Sequence, residues 1–343
     1  MQRRSFLKNS GIATAGLITL PLFTQARTNE NGIVGHGDFK YKVDVNWGAL
    51  NSQYYPVNDC HEMVMDKKGR LYLLINNTKN NVLVYNKDGD LLNAWGTQYP
   101  GAHGLTLHDE NGTEYLYISD NNRHEVIKTT LDGKVIQVYS CPLESEKYES
   151  KSSFIPTETA IASNGDVYIA DGYGAQYITH YNAKGELLNI FGGKGSQMHH
   201  FDNAHGICID TRNGKPPTLL ITARQQNKLK RFSMAGELIS TIDLPGAYIC
   251  RPVIHNENVY LASIWSHDGS PDTGFICVLD KNDQLVSAPG GCVPKYTDGK
   301  LGNMYQTLSI FKHPHDVCVD EDENLYVPQW NSGKTYPIKL TRV

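Results

Sequence analysis

Short runs of alternating apolar and polar residues, closed by turn dipeptides, recur along most of the chain. The stretch "GRLYLLINNTKNNVLVYNKDGDLLNAWG" at 69–96 reads as strand, turn, strand, Asp-Gly turn, strand, because strand side chains alternate between faces and Asp-Gly favours tight hairpins. The same phrase returns as "TEYLYISDNNRHEVIKTTLDGKVIQVY" from 113 and "GDVYIADGYGAQYITHYNAKGELLNIFGG" from 165. Weaker copies begin at 217 ("PTLLITARQQNKLKRF"), at 257 ("ENVYLASIWS") and at 323 ("ENLYVPQWNSGKTYPIKLTRV"). Each copy follows one further short strand: "HEMVMD", "HGLTLH", "TETAIA", "HGICID", "RPVIH" and "HDVCVD". Four antiparallel strands repeating about every 40 to 45 residues are the pattern of propeller blades.

Six such units predict an all-β chain folded as a six-bladed β-propeller. The last unit stops at Val343 after its third strand, while "YKVDVNWG" at 41–48 resembles the blade-closing "LLNAWG" and "LLNIFGG". An N-terminal strand is therefore expected to complete the ring, which removes an open sheet edge. On this reading residues 1–26 are a targeting segment, 27–40 a linker and 41–343 the propeller.

The first strand of each blade lines the central channel, so residues opening those strands become neighbours. Aligning the units places His61, His103, Thr157, His205, Arg251 and His315 in one ring. Three neutral imidazoles with an open fourth position are what a catalytic zinc ion requires. This assignment depends on register, since a slip by one residue turns a strand side chain to the opposite face.

The segment 1–26 differs from the rest: "QRRSFLK" supplies paired arginines, "GIATAGLITLPLF" is apolar, and "TQA" ends in a small residue suited to cleavage. Its apolar part, roughly 16 residues, is short against the roughly 20 of a membrane span. It resembles a twin-arginine export signal, implying a periplasmic or secreted protein with no stable membrane span after cleavage. The net charge of −4 and pI near 6.3 argue against nucleic-acid or anionic-membrane partners. Seven cysteines contain no CxxC pair, so neither a zinc ribbon nor a redox motif is indicated.

With these motifs in order, the chain resembles the NHL-type propellers and, among them, the peptidyl-α-hydroxyglycine α-amidating lyases. The resemblance implies zinc held by His103 in "AHGLTL", His205 in "AHGICID" and His315 in "PHDVCVD". It implies Tyr173 in "ADGYGAQYI" as the base and Arg224 in "TARQQNKLKRF" as a substrate contact. A structural calcium ion is implied on Asp316 and the backbone carbonyls of Met63 and Leu105. The implied reaction is a lyase cleavage of a small-molecule or peptide carbinolamide, giving a peptide amide and glyoxylate.

Several positions depart from the family. Asn76 stands where a second substrate-binding arginine is expected, Gly174 follows Tyr173 in place of a cysteine, and His313 replaces a methionine. His61 or His313 is a candidate additional ligand or base, and Arg251 a candidate partner for Asp316. The competing readings are a metal-dependent lyase or hydrolase on a non-peptide substrate, and a non-catalytic propeller binding a protein or glycan. A calcium-dependent lactonase would want a ring of Glu, Asn and Asp, for which Asp316, Glu62 and Glu158 are the candidates.

Overall fold

Alternating strands with a Gly-containing turn after nearly every pair fold into successive four-stranded antiparallel meanders. The computed structural model describes residues 32–214 and 216–343, so the proposed export signal at 1–26 lies outside the described residues. Blade one contains Cys60–Met65, Leu71–Ile75, Val82–Tyr85 and Leu91–Trp95; blade two contains Ala102–Glu110, Thr113–Asp120, Glu125–Thr130 and Val135–Ser140. Blade three contains Glu158–Ile161, Val167–Ala170, Tyr177–Tyr181 and Leu187–Gly192; blade four contains Ala204–Asp210, Thr218–Ala223, Lys228–Ser233 and Leu238–Asp243. Blade five contains Ala247–His255, Asn258–Ser266, Phe275–Leu279 and Leu285–Ser287. The chain is a six-bladed all-β propeller.

Blade six takes Cys318–Val319, Leu325–Val327 and Ile338–Arg342 from the C-terminus and Phe39–Asp44 from the other end of the chain. Phe39–Asp44 runs antiparallel to the last strand with Tyr41 opposite Arg342 and Val43 opposite Leu340. Ile33–His36 adds a fifth, outermost strand to this sheet. Residues 33–36 and 39–40, expected as linker, are therefore strand residues of this sheet.

Burial follows strand position. The second strand of blade one is wholly buried, whereas its outer strand Leu91–Trp95 has no buried residue and exposes Leu92 and Asn93. The blades are joined by apolar packing between sheet faces, as in sandwiches: Val64, Tyr72 and Leu74 of blade one meet Leu105, Leu116 and Ile118 of blade two. Val34 and Tyr41 likewise pack with Tyr260, Ile276 and Leu340, tying the N-terminal strands to blades five and six.

At the axis, the inner strands of blades two and four approach their neighbours so closely that the residue after His103 or His205 has no room for a side chain. A Cβ at Gly206 would lie 2.5 Å from the Arg251 Cα, and one at Gly104 would lie 2.3 Å from the Thr157 carbonyl oxygen. The repeated His-Gly pair is thus a packing requirement as well as a chemical one. Gly206→Ala is expected to cost about 1–3 kcal/mol, the usual range for overpacking. Gly302, where an added Cβ meets only the Lys295 carbonyl oxygen at 3.4 Å, is the control. Urea midpoints that fall equally for both variants would contradict the close approach.

Candidate metal centre and active site

The inner strands of blades one, two, four and six deliver His61, His103, His205 and His315 to one place, each at most 5% exposed. Neighbouring rings lie 4.8–5.0 Å apart between centroids. Two of them have their tautomer set by backbone carbonyls behind them. His103 Nδ1 donates to the Thr157 carbonyl at 2.9 Å and His315 Nδ1 donates to the His61 carbonyl at 3.1 Å. Each Nε2 therefore keeps a lone pair, and a carbonyl holding the opposite ring nitrogen is typical of metal-binding histidines.

Burial is the first cause holding all four imidazoles neutral. It lowers His61 to about 3, and lowers His103, His205 and His315 well below the ordinary range. The positive charge of Arg224 pushes in the same direction at every one of them. The Nδ1 atoms of His61 and His205 are buried without a hydrogen-bond partner, a costly state that a bound cation would relieve.

Donor atoms of His61, His103 and His315 lie within 4.8 Å of one another, and so do those of His205, Cys250 and His315. The rings of His103, His205 and His315 are mutual neighbours, but the groups of donors at that spacing include His61 on one side and Cys250 on the other. These neutral nitrogen donors, with a thiol beside them, fit zinc chemically.

Cys250 was not singled out in the sequence, where Arg251 was aligned with the histidines. Gly206, one residue past His205, abuts both the Arg251 backbone and the Cys250 carbonyl oxygen. Cys250 is thus level with the histidines and Arg251 is one layer deeper, a register correction of one residue. Its thiol is raised by burial, with Arg224 pulling it back down.

Tyr173 reaches the ring from the turn after Val167–Ala170. Its hydroxyl lies 3.1 Å from His103 Nε2 and 3.1 Å from His205 Nε2. Because His103 Nδ1 donates to a carbonyl, the hydroxyl donates to His103 Nε2, and His205 Nε2–H completes the second bond. Tyr173 as a residue is 40% exposed, so part of it is open to solvent. Burial of the hydroxyl raises its pKa, whereas Arg224 lowers it through its charge and a hydrogen bond.

The turn is tied down by Asp171, whose carboxylate accepts the Ile155 and Ala175 N–H groups at 2.6 and 2.7 Å. A Cβ at Gly174 would lie 2.2 Å from that carboxylate. This turn geometry accounts for glycine where the family pattern has cysteine.

Arg224 opens a short turn at the end of the second strand of blade four and is 3% exposed. Its Nη2 donates to Cys250 Sγ at 3.0 Å, while its Nε is buried without a partner. Tyr173 and Arg224 also line a cavity of about 340 Å³ with Ile264, Trp265 and Trp330. The metal candidate thus sits below a pocket whose wall combines the Arg224 guanidinium, the Asp202 carboxylate and the amides of Gln176, Asn203 and Gln225 with apolar and aromatic surface.

Other candidate residues fall outside this centre. Both ring nitrogens of His313 are used by backbone: Nε2 accepts the Asp272 N–H at 3.0 Å and Nδ1 donates to the Asn331 carbonyl at 3.1 Å. Asn76 pairs with Asp59, donating from Nδ2 at 2.8 Å. The Asp316 carboxylate and the carbonyls of Met63 and Leu105 meet one layer deeper, around Arg251.

The chain matches no family model. It is 25% identical over 251 residues to peptidyl-α-hydroxyglycine α-amidating lyase 1 of Drosophila melanogaster, covering 67% of this chain and 42% of that protein. A probable peptidyl-α-hydroxyglycine α-amidating lyase of Caenorhabditis elegans is 36% identical over 88 residues, 25% of this chain and 24% of the relative. NHL repeat-containing protein 3 of Homo sapiens is 23% identical over 180 residues, 50% of this chain and 51% of the relative. The chain therefore spans about half or less of the length of these curated relatives. Among solved structures, a streptogramin B lyase superposes with TM-score 0.55 at 15% identity, covering 83% of this chain and 94% of that one. A gluconolactonase from Xanthomonas campestris superposes with TM-score 0.56 at 13% identity, covering 92% and 93%. These two similarities establish the propeller fold.

Proposed function

We propose that the protein is a zinc-dependent lyase that cleaves a carbinolamide-type C–N bond, with a peptidyl-α-hydroxyglycine as its substrate. The observation that carries this reading is the Tyr173 hydroxyl set between the Nε2 atoms of His103 and His205, with Arg224 beside it. The family resemblance and the distant lyase relatives supply the substrate class. His103, His205 and His315 would hold the ion, with His61 adjoining them. Zinc, when bound, supplies Lewis acidity toward the substrate hydroxyl.

The remaining work belongs to the protein's own side chains. Tyr173, as phenolate, takes the proton from the substrate hydroxyl; the oxygen electrons form the carbonyl and the C–N bonding pair leaves with nitrogen. That nitrogen then takes a proton, which Tyr173 is placed to return, so the products are an amide and glyoxylate. A phenol of pKa near 10 needs help to ionise; burial raises Tyr173 further, the Arg224 charge opposes that rise, and a bound zinc ion would add to the opposition. Trp265, Trp330 and Ile264 offer apolar surface to the substrate segment beyond the reacting carbon.

A non-peptide carbinolamide is the second reading, favoured by one observation. Asn76 is bound to Asp59 and adds no positive charge, and on the cavity wall the Arg224 guanidinium is accompanied by the Asp202 carboxylate, which weakens recognition of a substrate carboxylate. The signal-like segment at 1–26 supports action outside the cytoplasm.

The test is incubation of zinc-loaded protein with an N-acyl-α-hydroxyglycine, following glyoxylate and amide together. Equal amounts of both, at a rate above the uncatalysed reaction, are expected. Zinc-loaded protein that releases neither would overturn the substrate assignment.

A further inference from the structure

One layer beneath the histidines, a single cation is enclosed by acidic and carbonyl oxygens. Arg251 enters from blade five, 8% exposed, and its Nη1 donates to the Leu105 carbonyl at 2.6 Å. Its Nη2 donates to the Met63 carbonyl at 3.1 Å and to Asp316 Oδ2 at 2.6 Å, and its Nε donates to Asp316 Oδ1 at 3.1 Å. Glu62 and Glu158 approach the same guanidinium at 3.5 and 3.7 Å. The oxygens that the family resemblance assigns to calcium are thus all donated to by one arginine. They do not fit a calcium ion as they stand, because the planar group occupies the point where they converge and carries the same sign of charge. Calcium also wants six to eight oxygens at about 2.3–2.6 Å.

We infer that the Arg251 guanidinium is a built-in cation taking the place of calcium at the propeller axis, so that this chain closes its channel without that metal. The arrangement is chemically coherent. A guanidinium supplies bidentate pairing to Asp316 and further directed donors to carbonyls, which a spherical ion does not. It clamps strands of blades one, two and six to blade five, through residues respectively 188, 146 and 65 positions away in sequence. Asp316 also accepts the Met63 N–H at 2.9 Å and Glu62 accepts the Leu105 N–H at 2.6 Å, so the carboxylates are engaged on their other sides. Among the described residues, the side-chain groups spaced to share an ion include none of these carboxylates. Beyond Arg251 lies a cavity of about 410 Å³ lined by residues such as Met65, Leu107, Ile209 and Val253. Arg251 forms part of its wall, separating it from the histidine layer.

The inference does not depend on the proposed lyase chemistry. Its test reads calcium, not zinc: metal analysis and thermal unfolding of the purified full-length chain, with millimolar calcium or with a calcium-selective chelator. Wild-type protein is expected to hold no stoichiometric calcium and to keep its Tm under both conditions. Arg251→Ala is expected to lower Tm and to gain a stabilising response to calcium that the wild type lacks. One calcium per wild-type chain, with Tm falling in chelator, overturns the inference. So does Arg251→Ala with unchanged Tm, or a destabilised variant indifferent to calcium. If the variant does not fold, the wild-type measurements decide by themselves.

Discussion

Replacing His103 or His315 with alanine is expected to remove zinc from the purified protein and to abolish turnover with it. Both residues present an Nε2 lone pair whose direction is fixed by an Nδ1–H bond to a backbone carbonyl. Alanine leaves no donor at that point and leaves the carbonyl of Thr157 or His61 without its partner. Loss of an outer-shell hydrogen bond alone typically costs 10- to 100-fold in metal affinity or activity. Removing a ligand should therefore exceed about 100-fold on both readouts. His61→Ala is expected to weaken zinc binding as well, since its donor atom is grouped with those of His103 and His315. His313→Ala should retain zinc, because both of its ring nitrogens are bound to backbone groups. Elemental analysis alongside glyoxylate release separates these cases. Full zinc content in His103→Ala would eliminate the proposed centre.

Tyr173→Phe should keep the metal and lose the chemistry. Phenylalanine preserves the ring that packs at the edge of the site and deletes only the hydroxyl between His103 Nε2 and His205 Nε2. General acid–base catalysis contributes typically 10²- to 10⁴-fold, so kcat is expected to fall by about that much while KM changes little. Zinc content equal to wild type would show that the loss is not a folding or metal-binding defect. A decrease in kcat of less than about tenfold would mean that the base lies elsewhere, since it falls below the range expected for such a group. Arg224→Lys probes the same step from the other side. It keeps a positive charge but loses the fork that bonds Cys250, and arginine and lysine are not equivalent at such sites.

How much of this was legible beforehand differs from one residue to the next. The convergence of His61, His103, His205 and His315 followed from repeat alignment, because each stands before an alternating strand at the same point of its unit. Tyr173 and Arg224 came from the resemblance, and they share the ring's neighbourhood because both sit in turns at the end of second strands. Blade five was misaligned by one residue. In "GAYICRPVIH" neither histidine nor glycine marks the channel position, so local pattern offered no way to choose Cys250 over Arg251. His313 was a candidate on proximity to His315 in sequence, yet its ring is claimed by Asp272 and Asn331, which no spacing rule connects to it.

The sequence by itself determined the elements, the number of blades and the four imidazoles, since strand alternation, hairpin turns and repeat length are local properties. Tertiary structure alone decided which residue of each inner strand lies at which depth. Depth is fixed by contacts between blades, such as Gly206 against Arg251 and Gly104 against Thr157. The same packing placed Arg251 among oxygens contributed by blades one, two and six. A buried charge is tolerable only where partners from distant parts of the chain meet it, and that meeting is not written in any one stretch of sequence.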